Sequence, residues 1–252
     1  MYQVLVAGAT GKMGRKAVEL IEQKSNFALA AVLAPSIADS DLTLPQTTQC
    51  FSDLSQINHS YDIWLDFTTP QAVYQNTEFA LQHQMRPIIG TSGLTEQQVA
   101  SLQQLAQQQQ IGGLIAPNFG LSAVLLMKFA KMAAQYLPDA EIIELHHADK
   151  KDAPSGTALA TAQQIQAGRT QPVKKTWSQN SARGLNVDGV PIHAVRLPGY
   201  IAHEEVLFGG TGEALTIRQD SFDRGSFMTG VNVALDKISD LTQLVFGLEN
   251  LL

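Results

Sequence analysis

Tyr2-Gln3-Val4-Leu5-Val6-Ala7-Gly8-Ala9-Thr10-Gly11-Lys12-Met13-Gly14-Arg15-Lys16-Ala17-Val18-Glu19-Leu20-Ile21 opens the chain and decides its fold. The run Tyr2 to Ala7 is a short apolar strand, and a helix pattern follows the glycines at once. Gly8 allows a tight turn, Gly11 lets backbone approach a pyrophosphate, and Gly14 permits close helix–strand packing. Gly8, Ala9, Thr10, Gly11, Lys12 and Met13 are therefore the expected dinucleotide-binding turn. A Gly-x-x-Gly-x-x-Gly string is weak alone; its place between strand and helix gives it force.

Phe27 to Leu33 is the second strand, and roughly twenty residues past the glycines a ribose-binding carboxylate is expected at its end. Ala34-Pro35 stands there instead. Neither an acid for a ribose 2′-hydroxyl nor an Arg for a 2′-phosphate occupies that position. Lys12, Arg15 and Lys16 supply positive charge from the turn and first helix, which leans the expectation towards NADPH with NADH also accepted. Further strands are expected over Asp62 to Thr68, Arg86 to Thr91 and Gly112 to Pro117, alternating with helices over Gln71 to His83 and from Thr95 through the Gln-rich stretch. That alternation indicates βαβ units and a parallel sheet. Loops after such strands face the cofactor, so Thr68, Gly90, Thr91, Ser92, Ala116, Pro117, Asn118 and Phe119 are candidates for the nicotinamide half. The patch Gln103 to Gln110 keeps a helical apolar stripe through Leu102 and Leu105, and reads as a solvated helix face.

Beyond an apolar helix over Ser122 to Leu137 the character changes to strands with hairpin-like breaks: His193 to Arg196, Glu204 to Phe208 and Ala214 to Asp220. Runs of strands after βα units suggest a second, α+β domain. Gly230 to Ile238 returns to helix. The domains expected are 1–118 with 227–252 for the dinucleotide, and an inserted 119–226 for substrate and oligomerisation.

At 252 residues, 44% hydrophobic and 16% charged, the chain can bury one or two cores. A formal net charge of −6 excludes nucleic acid as the main partner, since phosphate backbones select basic surfaces. Cys50 is the single cysteine, so no intrachain disulfide is expected. The first strand begins at residue 2 and no long apolar span is seen, so no membrane is expected and a cytoplasmic setting is.

The chemistry is concentrated in His146-His147-Ala148-Asp149-Lys150-Lys151-Asp152-Ala153-Pro154-Ser155-Gly156-Thr157. Ala140 to His147 reads as a strand, whose successive side chains face opposite ways, so the two histidines cannot share one role. Imidazole suits a general acid near neutral pH. Downstream, Asp152 or Ser155 can cap a helix and Pro154 suits its entry. The amides at that helix start, with Ser155, Gly156 and Thr157, make an anion site to which Lys150 or Lys151 adds charge. No metal is expected, because adjacent histidines diverge on a strand and no Cys or second His cluster supplies further ligands.

These segments resemble the dihydrodipicolinate reductase family, also called 4-hydroxy-tetrahydrodipicolinate reductase, of the diaminopimelate route to lysine. The resemblance rests on Gly8 to Gly14, Asp66-Phe67-Thr68, Gly90-Thr91-Ser92-Gly93, Ala116-Pro117-Asn118-Phe119, and above all Glu144-Leu145-His146-His147 through Lys150 to Thr157. It implies hydride transfer from NADPH or NADH to C4 of a cyclic dicarboxylate, with proton delivery from His146 and Lys150. His147, Gly156 and Thr157 would hold a substrate carboxylate. It implies an α/β fold with a Rossmann-like nucleotide-binding domain and an inserted α+β domain whose open sheet pairs in a homotetramer. Ala34-Pro35 departs from the acidic residue, sometimes followed by Arg, often seen in the family, and Ala148 and Asp149 replace basic residues. The rival readings are another two-domain oxidoreductase acting on a different imine or amino acid, or a catalytically inactive NADP-binding redox sensor, which would have no need of a proton donor.

Overall fold

Hydrophobic runs of period shorter than a helix turn, bounded by glycine, build the first strand: Val4, Leu5, Val6 and Ala7 are all fully buried. In the computed structural model, which describes residues 1–173 and 181–252, the chain divides into two units, Met1–Phe119 with Phe227–Leu252 and Gly120–Ser226.

The first unit contains β1 (Tyr2–Ala7), α1 (Lys12–Glu22), β2 (Phe27–Leu33), β3 (Gln49–Phe51), β4 (Ile63–Asp66), α2 (Val73–Gln82), β5 (Arg86–Ile89), α3 (Glu96–Gln109) and β6 (Gly113–Ile115). The second contains α4 (Leu121–Ala133), β7 (Asp139–His146), α5 (Gly156–Gly168), β8 (Leu185–Val187), β9 (Val190–Arg196), β10 (Ala202–Gly210) and β11 (Glu213–Ser221). The chain then returns through α6 (Ser226–Lys237) and β12 (Leu244–Phe246) to finish the first unit.

The first sheet runs β12-β6-β5-β4-β1-β2-β3, with all pairs parallel. Its strand order reverses between β1 and β4, and such a reversal opens a crevice at the carboxyl ends of the strands. Trp64, Leu5, Leu81, Met85 and Ile89 fill its core at 0% exposure, each side chain contributing roughly 1.5–3 kcal/mol of burial. Thr95 and Gln98 cap α3 reciprocally, which starts the Gln-rich helix where expected.

The second sheet runs β11-β10-β7-β9-β8 and is mixed: β7 and β9 are parallel, the other pairs antiparallel. Ala140, Ile142, Val206, Phe208 and Ile192 form a core with Leu126 and Ala130 of α4 and Ala158, Ala162 and Ile165 of α5. Both helices thus cover one face of the sheet.

β1 and β2 have the expected limits; other boundaries differ. β4 and β5 stop at Asp66 and Ile89, two residues early, because their last residues turn to hydrogen-bond across the crevice. The helix expected to Leu137 ends at Ala133, and α6 starts four residues before Gly230. The short strands β3, β8 and β12 went unrecognised.

Candidate active site

At the carboxyl end of β1 the site is backbone. Gly8 has φ of +80°, and a Cβ there would run into the Phe67 carbonyl at the end of β4; one at Gly14 would run into Gly8 itself. A Cβ on Gly11 would lie 3.2 Å from the Gly8 oxygen. Gly11 caps α1 without a side-chain bond, so the first amides of the helix face outward as an anion cradle. These features fit a dinucleotide pyrophosphate. A cleft of about 530 Å³ opens beside them, lined by Gly8, Thr10, Gly11, Ala34, Pro35 and Thr68 among others.

That cleft brings together Gly8, Thr10, Gly11 and Thr68 of the expected cofactor residues, while Gly90, Thr91, Ser92, Ala116, Pro117, Asn118 and Phe119 lie outside its lining. Phe119 is buried against Phe67, their rings 5.9 Å apart, and a Cβ on Gly90 would strike both. Ala116 is buried, whereas Ser92 and Pro117 are exposed. Residues Ser52 to Ser55, after β3, also line the cleft, and the sequence reading missed them. The basic residues do not line it: Arg15 donates to Asp41 at 2.5 Å and to the Thr10 carbonyl at 3.1 Å.

Asp66 fixes the crevice wall. Fully buried, it accepts from Trp64 Nε1 (3.0 Å), the Thr68 amide (3.0 Å) and hydroxyl (2.6 Å), Asn76 Nδ2 (2.9 Å) and Thr91 Oγ1 (2.7 Å). A carboxylate so supplied with donors is stable without water and locks the Thr68 and Thr91 loops together.

At the end of β7 the site is made of side chains. The alternation of this strand places Ala140, Ile142 and Glu144 inward. Glu144 is fully buried; its Oε2 meets His146 Nδ1 at 2.5 Å, and its two oxygens accept from Arg196 at 2.7 and 2.8 Å. Its Oε1 also accepts the Ser155 amide at 3.1 Å. Burial alone pushes the Glu144 carboxyl up, but the His146 and Arg196 bonds and charges outweigh it and hold the group below its ordinary value. Glu144 therefore orients the His146 ring through Nδ1, and Nε2 lies outside that bond. Nothing in the sequence reading named Glu144 as this support, although its inward place in an apolar alternation was a signal.

Lys150 bonds both oxygens of Asp152 at 2.7 Å, and Asp149 takes no part in that pair. Arg196 also donates to the Asp152 carbonyl at 2.7 Å, tying the Lys150 loop to the same cluster. Two expectations need correction. β7 ends at His146, so His147 leaves the strand and is not governed by its alternation. Pro154 precedes the cap instead of entering the first turn, because Ser155 is the cap residue of α5. Ser155 itself is 2% exposed: its hydroxyl accepts from the Ala158 amide at 3.1 Å and its amide serves Glu144, so it builds the helix start. Gly156 and Thr157 follow it, and a Cβ on Gly156 would meet nothing within 4 Å. The open surface at this helix start is thus Gly156.

Among the described residues no group of three or more His, Cys, Asp or Glu could hold a metal, and no helix is long and apolar enough to cross a membrane.

The profile described as "Dihydrodipicolinate reductase, N-terminus" matches residues 2–119, and that for the C-terminus of the same protein matches residues 122–252. The chain belongs to the dihydrodipicolinate reductase family. It is 58% identical over 258 residues to the 4-hydroxy-tetrahydrodipicolinate reductase of Lactobacillus acidophilus, covering 99% of this chain and 98% of that one. It is 57% identical to that of Limosilactobacillus fermentum over the whole of both chains. The solved dipicolinate-bound dihydrodipicolinate reductase of Paenisporosarcina sp. TG-14 matches with a TM-score of 0.87 at 42% identity, covering 100% of both chains. The NAD(H)-bound scyllo-inositol dehydrogenase of Lactobacillus casei matches at 0.65 and 14% identity, covering 100% of this chain and 93% of that one, which shows a shared fold. Like the rest of the reductase family, the chain is a pyridine-nucleotide oxidoreductase of lysine and diaminopimelate biosynthesis, with a Rossmann-like unit and a separate mixed-sheet unit.

Proposed function

We propose that this chain reduces 4-hydroxy-tetrahydrodipicolinate to tetrahydrodipicolinate, with NADPH preferred and NADH accepted. The observation that carries the reading is the buried Glu144, which binds His146, Arg196 and the start of α5 at once. One carboxylate so sets the direction of a proton donor and the position of an anion site.

Loss of the 4-hydroxyl as water leaves a conjugated ring, and a reduced nicotinamide, when bound, would supply the hydride to its C4. The turn Gly8 to Met13 receives the pyrophosphate, and the loops at Gly90 to Ser92 and Ala116 to Phe119 border the nicotinamide half. His146, oriented through Nδ1, gives its proton to the reduced ring. Lys150 restores that proton and offsets the substrate charge. His147 and the amides of Gly156 and Thr157 take one substrate carboxylate, aided by the positive end of α5. The face of the second sheet turned away from α4 and α5 carries linked charges, Glu141 with Arg183 and His193 and Arg218 with Asp220, and we assign it to the homotetramer. With one cysteine and no disulfide partner, the chain suits the cytoplasm.

The deciding test follows NADPH and NADH oxidation with substrate generated in place from pyruvate and aspartate semialdehyde by the preceding synthase. Synthase-dependent oxidation, faster with NADPH, is expected. Folded protein that binds nucleotide without oxidising it would overturn the reading in favour of the sensor.

A further inference from the structure

A second carboxyl lies beside Glu144 that the reaction above leaves unused. Glu204 on β10 stands directly across the strand pair from Glu144, and the two are 2% and 0% exposed. Paired residues in an antiparallel ladder point to one face, so both carboxyls lie under the helices. Their surroundings are opposite. Glu144 has Arg196, His146 and the Ser155 amide. Besides Glu144 itself, Glu204 has neutral neighbours: Gln219 is its register partner on β11, bonded in turn to Ser122 of α4, and Thr161 approaches from α5. Its Oε1 has no hydrogen-bond partner among the described residues.

An ionised carboxylate in that place would carry an unsatisfied oxygen in a buried setting and repel Glu144. A protonated acid removes the repulsion and leaves that oxygen without a charge to solvate. Burial raises the Glu204 carboxyl to about 7, the Thr161 hydroxyl opposing and the Glu144 charge adding to the rise.

We propose that Glu204 is a positioning residue for proton donation, a neutral acid seated across the strand pair that leaves Glu144 as the single buried carboxylate shared by His146 and Arg196. The inference rests on the reading of His146 as the proton donor. Loss of the Glu204 proton at higher pH adds a second negative charge behind Glu144. That charge favours the protonated imidazole and prolongs donation on the alkaline side.

Two readouts test this. In infrared spectra of the full-length protein without substrate, a buried protonated-carboxyl stretch should disappear as pH rises through about 7, and Glu204→Gln should lack it. In turnover, Glu204→Gln should bring forward the alkaline loss of kcat/KM by on the order of one pH unit. A role in packing alone would change the rate equally at every pH. Wild-type spectra without a titrating band, or alkaline limbs that superimpose, would overturn the proposal. Should Glu204→Gln not fold, the wild-type band decides. Because the spectra need neither substrate nor cofactor, they stand even if the reductase reading fails.

Discussion

At the end of β1 the proposed cofactor surface is backbone, shaped by where side chains are missing, whereas at the end of β7 the proposed substrate surface is a set of side chains held by other side chains. A Cβ at Gly8 or Gly14 meets main chain, which cannot move aside; Glu144, by contrast, gathers partners from β7, β9 and the start of α5. The first kind of site fails by steric intrusion and the second by loss of a single partner. The contrast can be broken most sharply at His146. His146→Gln should lower turnover about 10²–10⁴-fold, the usual share of a general acid, while leaving nucleotide affinity as it was in a fluorescence titration. Lost nucleotide binding with intact turnover would place the chemistry elsewhere.

Removing the support should unsettle the fold as well. Arg196→Ala leaves the Glu144 carboxylate buried with only His146 and the Ser155 amide as partners, and breaking such a pair costs about 3–5 kcal/mol. The sign of the pH effect follows from the lowered Glu144 value. Glu144 binds its proton more weakly in the folded state than in the unfolded chain. Its contribution is therefore complete above the ordinary carboxylate range and is lost as pH falls through the lowered value. Arg196→Ala should begin acid unfolding at a higher pH than the wild type, followed by circular dichroism. Coincident acid transitions would mean that Arg196 does not stabilise the ionised Glu144.

The same contrast explains what could be read from sequence. Gly8, Gly11 and Gly14 announce a backbone site because few other residues can occupy those positions, and their spacing is local. Arg196 lies 52 positions from Glu144, and only strand order brings them together. β3 and β12 escaped notice because three residues each, Gln49–Phe51 and Leu244–Phe246, are too short for a period to form. Glu144 was legible in principle: a carboxylate at the inward position after Ala140 and Ile142 has to find donors. Ser155 shows a limit of the same kind, because an N-cap and an anion ligand share one residue type and the sequence does not separate the two roles.

Gly156 is a glycine of the other kind. Its added Cβ meets nothing, so Gly156→Ala should leave α5 as stable as before or firmer by up to about 1 kcal/mol. The methyl would enter the space proposed for the substrate carboxylate. Binding of pyridine-2,6-dicarboxylate should weaken about tenfold, roughly 1.4 kcal/mol, measured by calorimetry. Gly14→Ala should do the reverse, lowering Tm and nucleotide affinity with the dicarboxylate unaffected. Equal behaviour of the two variants would erase the distinction between the sites.

The smallest effect is expected at Asp41, where cofactor choice is open because Ala34-Pro35 provides neither ribose determinant. Arg15 is a candidate for a 2′-phosphate, since it bonds the Thr10 carbonyl and Thr10 Oγ1 lies 3.0 Å from Ser36 Oγ, just past Pro35. Its charge is already engaged by Asp41, whose carboxyl the Arg15 bond and charge hold below the ordinary value. Asp41 is 88% exposed, and a pair of that kind contributes little to stability, so Asp41→Ala should leave Tm almost unchanged. What it changes is where the guanidinium is free to go. KM for NADPH should fall about two- to fivefold, as expected for one screened charge, with KM for NADH constant, and the gain should shrink in high salt. A parallel change for both cofactors would show that Arg15 does not read the 2′ position, and would return that role to Lys12 or Lys16.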